Sequence, residues 1–258
     1  LLSENQEELE DMVSIDDMFS YYAFEVLVNN TDYPKKNYAI WRYNDTPQEA
    51  SYADGKFRFL INDLDCTWDF RYDDDLWTAY FDKVKEDGVL MASLIQVEQY
   101  RDRYLNTLCD LMNSGLFDPD HLDTVINEAN NAFQLIASYY YTSKDEAKRQ
   151  QNVLLLKESA FARKGEVRNF IQETFHPASP YTLQVKSPAA GTSIRFSTTE
   201  LTSLDGDFQG EYYGDYPMTL SCTTNDYTSF VCWKINGKTV ASPEVRLDAT
   251  LICDDRIT

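Results

Sequence analysis

Apolar side chains recur at helical spacing in the first two thirds of the chain. The first such stretch predicts a buried helix over residues 15–28, with apolar positions at Met18, Phe19, Tyr22, Ala23, Val26 and Leu27. Ser14 followed three residues later by Asp17 is typical of a capping box with Asp in place of Glu, so it marks the start of this helix. Residues 3–10 are acidic and polar, and we expect a frayed lead-in there.

Further helices are predicted over residues 94–117 and 118–136 from the same periodicity, the second opening on an Asp-Pro cap. A third, over residues 143–175, should begin with a capping box at Ser143 and break near Gly165. We expect these helices to support a core rather than to carry chemistry.

Between the first two helical stretches the pattern changes to alternation. Residues 38–43 and 56–61 alternate like strands around the turn signal Asp54-Gly55, which predicts a β-hairpin. Pro34 lacks a backbone N–H, so the segment that precedes this hairpin is expected to be a loop.

The texture changes again after residue 176. Residues 177–258 are rich in Thr, Ser, Tyr and Gly, and short alternating runs occur at Tyr181–Val185, Ser193–Phe196, Met218–Cys222, Ser229–Ile235 and Val245–Leu251. Asn236-Gly237 is a strong hairpin signal. The sequence therefore predicts an α+β fold with two domains, a mostly helical one over 1–176 and a small β-sandwich-like module, immunoglobulin-like or bacterial repeat-like, over 177–258.

The composition excludes several classes of partner. Asp and Glu number 43 against 23 Lys and Arg, giving a net charge of −20. Such a surface repels nucleic acid and anionic lipid, and it would repel free ATP unless a divalent metal offset its carboxylates. The chain has no apolar run of about 18 residues, so none of it is expected to span a membrane.

Cysteine and histidine usage narrows the chemistry further. The five cysteines show no C-x-x-C spacing, which argues against a zinc site, and with two histidines the chain has no metalloprotease motif. Cys222 and Cys232 could pair in an oxidising compartment or remain two thiols.

Candidate chemistry lies around the predicted hairpin. Asp32 and Asn37 precede it in the spacing D-x-x-x-x-N, and Asp63-Leu64-Asp65 follows its second strand. Phosphoryl transfer uses one carboxylate near the attacking hydroxyl, and an amide and a second carboxylate to hold magnesium. Protein kinases place these groups in this order, so the arrangement indicates a kinase-type site.

The run YYAFEVLVNNTDYPKKNYAIWRY, followed by GKFRFLINDLDCTWDF, resembles the spore coat protein H (CotH) family of secreted, atypical protein kinases. The resemblance covers about residues 10–175, with the later part matching only in helical layout. One departure is Ile61-Asn62, where the family often has Pro-Trp. The resemblance implies a kinase-like C-lobe with the short hairpin at its active site.

The resemblance also implies residue roles. Asp32 would be catalytic and would orient or deprotonate the acceptor hydroxyl. ATP and Mg²⁺ or Mn²⁺ would be the cofactors, a protein Ser or Thr hydroxyl the acceptor, and a bacterial secreted or cell-surface protein the setting. The implied metal-binding residues are Asn37, Asp63 and Asp65, and the implied phosphate contacts are Lys35 and Lys36, which otherwise are plain surface lysines.

A kinase also needs a nucleotide-clamping N-lobe with a glycine-rich loop and a lysine. The residues before Asp32 contain no Gly and no Lys, and the chain begins at Leu1. We therefore expect this lobe to lie upstream of the chain or to be lost, and we expect the chain alone to transfer phosphate very slowly or not at all.

Two other functions remain open. The chain could be a noncatalytic cell-surface binding or assembly module with a degenerate kinase fold. It could also act on or bind glycans, which would need two carboxylates about 5–10 Å apart across an aromatic-lined groove. An EF-hand starting at Asp63 is disfavoured, because Trp68 and Asp74 stand where that loop needs Gly and Glu.

Overall fold

The structure is a computed structural model that describes residues 5–30, 32, 38–46, 48, 52–68, 89–140 and 142–258. Its helices are α1 (Gln6–Met12), α2 (Ile15–Leu27), α3 (Val89–Leu94), α4 (Glu98–Asn113), α5 (Pro119–Tyr140) and α6 (Ser143–Phe175). None of these helices is long and apolar enough to cross a bilayer.

The strands lie in two groups. Near the N-terminus are β1 (Tyr38–Trp41) and β2 (Arg58–Ile61). After the last helix come β3 (Pro180–Val185), β4 (Thr192–Phe196), β5 (Thr199–Leu201), β6 (Phe208–Tyr213), β7 (Met218–Thr224), β8 (Trp233–Ile235), β9 (Lys238–Val240), β10 (Glu244–Leu247) and β11 (Arg256–Ile257). The fold is therefore mixed α+β, as the sequence predicted.

The C-terminal strands form two small sheets and a hairpin. One sheet is antiparallel with the order β10-β7-β4-β5, and the other has the order β11-β3-β6, in which β11 runs parallel to β3. The sheets contact each other through aromatic rings, since the centroid of Phe196 on β4 lies 4.9 Å from that of Phe208 on β6.

The hairpin predicted at Asn236-Gly237 is confirmed. Strands β8 and β9 pair with Ile235 opposite Lys238, and the two turn residues have φ values of 46° and 76°. The predicted strand Ser229–Ile235 was too long, because only its last three residues are in β8. Cys222 on β7 and Cys232 directly before β8 are both free thiols.

Several helix boundaries differ from the prediction. Residues 6–12 form α1 rather than a frayed lead-in, and the predicted helix over 94–117 is divided, because Val97 is extended and starts α4 afresh. Helix α6 is unbroken at Gly165, where an added Cβ would meet no atom of the described residues within 4 Å.

Both predicted capping boxes need correction. The box of α6 lies one residue earlier, since Thr142 and Asp145 exchange hydrogen bonds between side chain and backbone. At α2, Ser14 makes no cap bond to the backbone, because its hydroxyl donates to the Asp17 carboxylate at 2.6 Å. Asp17 also faces Arg58 at 2.7 Å, so its carboxylate is engaged by a cation instead of the helix N-terminus.

One hydrophobic cluster runs through the described chain. Its buried members come from α2, α3, α4 and the end of α6, and also from both C-terminal sheets. The side chains of Cys109 on α4 and Tyr212 on β6, for example, are both in it and almost fully buried. The core therefore continues across residue 176, and the division into domains there stays a prediction.

A row of polar side chains on α4 holds the C-terminal strands. Asn106, Asp110 and Asn113 are spaced so that they lie on one helix face. Asn106 donates to the carbonyl of Tyr216 at 3.0 Å. The amide of Asn113 donates to the carbonyl of Glu211 and accepts from its N–H, both at 3.1 Å, so a side chain pairs with the free edge of β6.

Gly210 permits this close approach of helix and strand. A Cβ there would lie 2.6 Å from the Asn113 amide nitrogen, closer than van der Waals contact allows.

Asp110 is the most connected member of this row. Its carboxylate accepts from the Thr198 N–H at 2.8 Å, the Thr198 hydroxyl at 2.6 Å and the Tyr212 hydroxyl at 2.7 Å. Burial raises the pKa of Asp110, and these hydrogen bonds oppose the rise. The three donors thus compensate for a carboxylate that is only 6% exposed.

Replacing Asp110 with Ala should destabilise the protein by about 3 kcal/mol, because it leaves buried donors of Thr198 and Tyr212 without an acceptor. Chemical denaturation at neutral pH measures this change. The matched control is Asp207→Ala, which removes an exposed carboxylate paired with Lys186 and should leave the midpoint nearly unchanged. Equal effects of the two variants would show that the Asp110 contacts do not tie α4 to the strands.

Asp102, two turns before Asp110 on α4, is buried without such compensation. One of its oxygens has no hydrogen-bond partner among the described residues, and its ion pair with Arg101 is long at 3.8 Å. Burial raises the pKa of Asp102 to about 6, which Glu98 supports and Arg101 and Arg246 oppose.

Asp102→Asn should therefore stabilise the protein at pH 7.5 but not at pH 4. The folded pKa lies above the unfolded one, so folding is favoured while the carboxyl is protonated and this contribution is lost as the pH rises through 6. Thermal unfolding of both proteins at the two pH values checks this. A variant that is less stable than the wild type at pH 7.5 would contradict it.

Candidate functional site

Helix α2 delivers the chain to the predicted catalytic loop. Asn29 follows it with a left-handed φ of 49°, and the N–H groups of Asn29 and Asn30 bond back to the carbonyls of Val26 and Glu25, each at 3.1 Å. This pair of bonds is the Schellman arrangement, which ends a helix and turns the chain sharply. Asp32 lies two residues beyond it.

A buried arginine from α6 holds the same helix end. Arg163 is 2% exposed, and its guanidinium donates to the carbonyls of Leu27 at 3.0 Å and Val26 at 2.8 Å. It also pairs with the Glu166 carboxylate at 2.5 Å. The carbonyls at a helix C-terminus carry partial negative charge, so a cation there satisfies them and stabilises the helix dipole.

The hairpin β1–β2 brings the segment Asp63-Leu64-Asp65 back to the end of α2. Its strands pair from Tyr38 opposite Ile61 to Trp41 opposite Arg58, so the chain leaves β2 next to where it entered β1. Asp63 then takes a left-handed φ of 53°. Such backbone is uncommon outside glycine and concentrates at functional sites.

The segment after Asp63 is tied directly to α2. A turn closes where Thr67 bonds to the carbonyl of Leu64, through its hydroxyl at 2.7 Å and its N–H at 3.2 Å. The next N–H, of Trp68, donates to the carbonyl of Val28 at 2.6 Å. The segment of Asp63 is therefore joined to the end of α2 by a hydrogen bond at Val28, four residues before Asp32.

The hairpin is also anchored to the other end of α2. The buried Arg58 of β2 pairs with Asp17 at 2.7 Å and makes two bonds to Asp54, at 2.7 and 2.9 Å. The Arg58 guanidinium holds the pKa of Asp54 well below its usual range. Phe59 adds an apolar contact, since its ring stacks on Tyr21 of α2 with centroids 5.3 Å apart.

The predicted site residues lie in different surroundings. Asp32 is partly buried, and its N–H donates to the Asn30 side-chain oxygen at 3.2 Å. Asp63 and Asp65 are exposed. The predicted residues Asn37, Lys35 and Lys36 lie outside the described residues. Within the described part of the chain, no group of three or more His, Cys, Asp or Glu side chains is arranged to hold a metal.

Sequence reasoning missed two buried charges that shape this site, Arg163 and Glu25 of α2. Each stands in a helix stretch whose buried neighbours are mainly apolar, and Glu25 is fully buried. A charged residue on the apolar face of a predicted helix was the available signal, since such residues are rarely buried without a specific partner.

Comparison with known families gives a match over most of the chain. The family model described as CotH kinase protein matches residues 2–173, which is two thirds of the chain and includes every residue named at this site. Neither a comparison with curated proteins nor one with solved structures finds a match.

Arg163→Ala should destabilise the protein by about 3–4 kcal/mol, because the carbonyls of Val26 and Leu27 lose a buried cationic donor. The control is Lys164→Ala on the same helix, where loss of the ion pair with the exposed Asp118 should cost about 0.5 kcal/mol or less. Urea denaturation of the two variants measures both values. Similar midpoints would show that Arg163 is not what fixes the end of α2.

Proposed function

The chain belongs to the CotH kinase protein family, and we propose that it is the catalytic part of an atypical protein kinase that transfers phosphate from ATP to Ser or Thr hydroxyls. The observation that supports this most directly is the bond from the Trp68 N–H to the Val28 carbonyl. This bond links the segment of Asp63 to the helix end that leads to Asp32. Phosphoryl transfer needs these two carboxylates in one place.

In this proposal Asp32 orients the acceptor hydroxyl and accepts its proton. The side chain is only partly buried, so a substrate hydroxyl has access to it, while its backbone is held by Asn30. A positioned general base contributes about 10²–10⁴ to rate. Lys35 or Lys36 would contact phosphate.

Asp63 is the proposed metal ligand at the end of β2, with Asn37 as the second and Asp65 as support. Carboxylate and amide oxygens are the donors that Mg²⁺ and Mn²⁺ prefer, and the Asp63 and Asp65 carboxylates are exposed. Magnesium in kinases is held by one or two carboxylates together with phosphates and water, so a cluster of three acidic side chains is not required. A metal held by Asp63 and Asn37 would offset the negative charge of the ATP phosphates.

We propose further that residues 1–176 form a kinase-like C-lobe and that residues 177–258 form a β-sandwich-like module. The two small sheets in contact through Phe196 and Phe208 support the second part. The proposal includes a nucleotide-clamping lobe that is supplied by other sequence. It also includes a bacterial secreted or cell-surface location.

The native gene product that contains this chain should label itself or a generic acceptor such as casein with radioactive ATP in Mg²⁺ or Mn²⁺. Asp32→Ala and Asp63→Ala should each lower the rate by at least about a hundredfold. The matched control is Asp207→Asn, an exposed carboxylate directly before β6 that should leave the rate unchanged.

Unchanged labelling in both Asp variants would remove these residues from the mechanism. A folded native protein that neither binds ATP nor labels any acceptor would instead favour a noncatalytic surface module with a degenerate kinase fold.

A further inference from the structure

The Glu25 carboxylate lies in the protein interior beside the proposed site. It is 0% exposed on the last turn of α2, and among the described residues neither oxygen has a hydrogen-bond partner of normal geometry. Burial raises the pKa of Glu25, and the nearby side chains of Asn30 and Tyr21 oppose the rise. A buried carboxylate that lacks strong hydrogen bonds among the described residues is destabilising, which argues against a purely structural purpose.

Asn30 connects this carboxylate to Asp32. Its side chain is fully buried, and its oxygen accepts from the Asp32 N–H at 3.2 Å. Its N–H group meanwhile bonds to the Glu25 carbonyl at 3.1 Å, which keeps the two residues together.

The hydrogen bond to Asp32 fixes the orientation of the Asn30 amide. An amide has an acceptor end and a donor end, and it can bond to the Asp32 N–H only through the acceptor. The donor end must then face another group, and its nitrogen is buried without a hydrogen-bond partner of normal geometry in the part of the chain that the structure describes. A carboxylate accepts and does not donate, so Glu25 favours the orientation that directs the Asn30 oxygen toward Asp32.

We propose that Glu25 is a positioning residue, which acts through the Asn30 amide to hold the backbone of Asp32. The inference rests on the proposed function, in which Asp32 handles the acceptor hydroxyl. Small displacements of a catalytic group are costly in rate, so a residue that fixes one amide has a large effect without touching substrate.

The first test replaces Glu25 with Met, which is similar in size and apolar. Amide hydrogen exchange of the native gene product should show the Asp32 N–H exchanging about tenfold faster, while the unfolding midpoint stays equal or rises because a buried charge is gone. Phosphoryl transfer should fall about tenfold in kcat with little change in the KM for ATP. The control is Asp102→Asn, which also removes a buried carboxylate that is incompletely hydrogen-bonded within the described residues, but should change neither exchange at Asp32 nor kcat.

A second test uses complementary variants. Asn30→Asp puts two carboxylates face to face and should speed exchange at Asp32 and lower kcat. Adding Glu25→Gln to that variant supplies an amide opposite the new carboxylate and should recover at least about half of each loss, in keeping with a direct contact between the two side chains.

Wild-type exchange at Asp32 in Glu25→Met would overturn the inference, and so would a double variant no better than Asn30→Asp. If Glu25→Met fails to fold, the second test decides alone. If the wild type itself transfers no phosphate, the proposed function fails, while the exchange measurements still decide whether Glu25 holds the Asp32 backbone.

Discussion

The C-terminal end of α2 is the constraint on which the rest of the site depends. The carbonyls of a final helical turn have no partners within the helix and must find them elsewhere. Here each carbonyl from Glu25 to Val28 accepts a hydrogen bond, in turn from Asn30, from Asn29 and Arg163, from Arg163 again, and from Trp68. Two distant parts of the chain, at Trp68 and Arg163, therefore meet at this helix end, and both help to fix the direction in which the chain leaves toward Asp32.

In this arrangement buried residues fix the backbone, and exposed residues are accessible from solvent. Arg163 and Glu25 are buried and shape the backbone, whereas Asp63 and Asp65 are exposed and available to a ligand. Positive φ values at Asn29, Asp63 and Trp68 give the two loops sharp turns at the same place. Because such backbone is unfavourable for residues other than glycine, the surrounding hydrogen bonds must hold it, as is common where function needs a fixed geometry.

The C-terminal strands are joined to this helical part by packing and by the polar row on α4. Asn113 pairs with the edge of β6 as a neighbouring strand would, and Asp110 gathers donors from two chain segments. A side chain on a helix thereby occupies a strand edge that would otherwise be open to association with another chain. Asn106 and Asp110 can be buried on α4 because their side chains hydrogen-bond to the C-terminal part of the chain.

Local patterns were enough to predict much of the fold. The apolar spacing of α2, the Asp54-Gly55 loop before β2 and the Asn236-Gly237 turn each depend on neighbours in sequence, and the structure has all three. The cap at Thr142 was displaced by one residue because adjacent Thr and Ser offer equivalent hydroxyls, and only the packing of α6 selects between them. Residues 229–232 alternate like a strand but are unpaired in the sheets of the described chain, since a strand needs a neighbour that local pattern does not specify.

Predictability was lower at the candidate site because its organisation is non-local. The local pattern made Asp32 and Asp63 candidates whose roles stay a proposal, whereas Arg163 is 136 residues from the Leu27 carbonyl it caps. We propose that the Asp32 and Asp63 carboxylates serve one metal-dependent site. The most direct measurement is a crystal structure of the native gene product with Mn²⁺ and a nonhydrolysable ATP analogue. An anomalous peak is expected within about 2.5 Å of an Asp63 oxygen, with the nucleotide bound beside Asp32. A peak bound to other residues, or nucleotide bound away from Asp32 and Asp63, would contradict it.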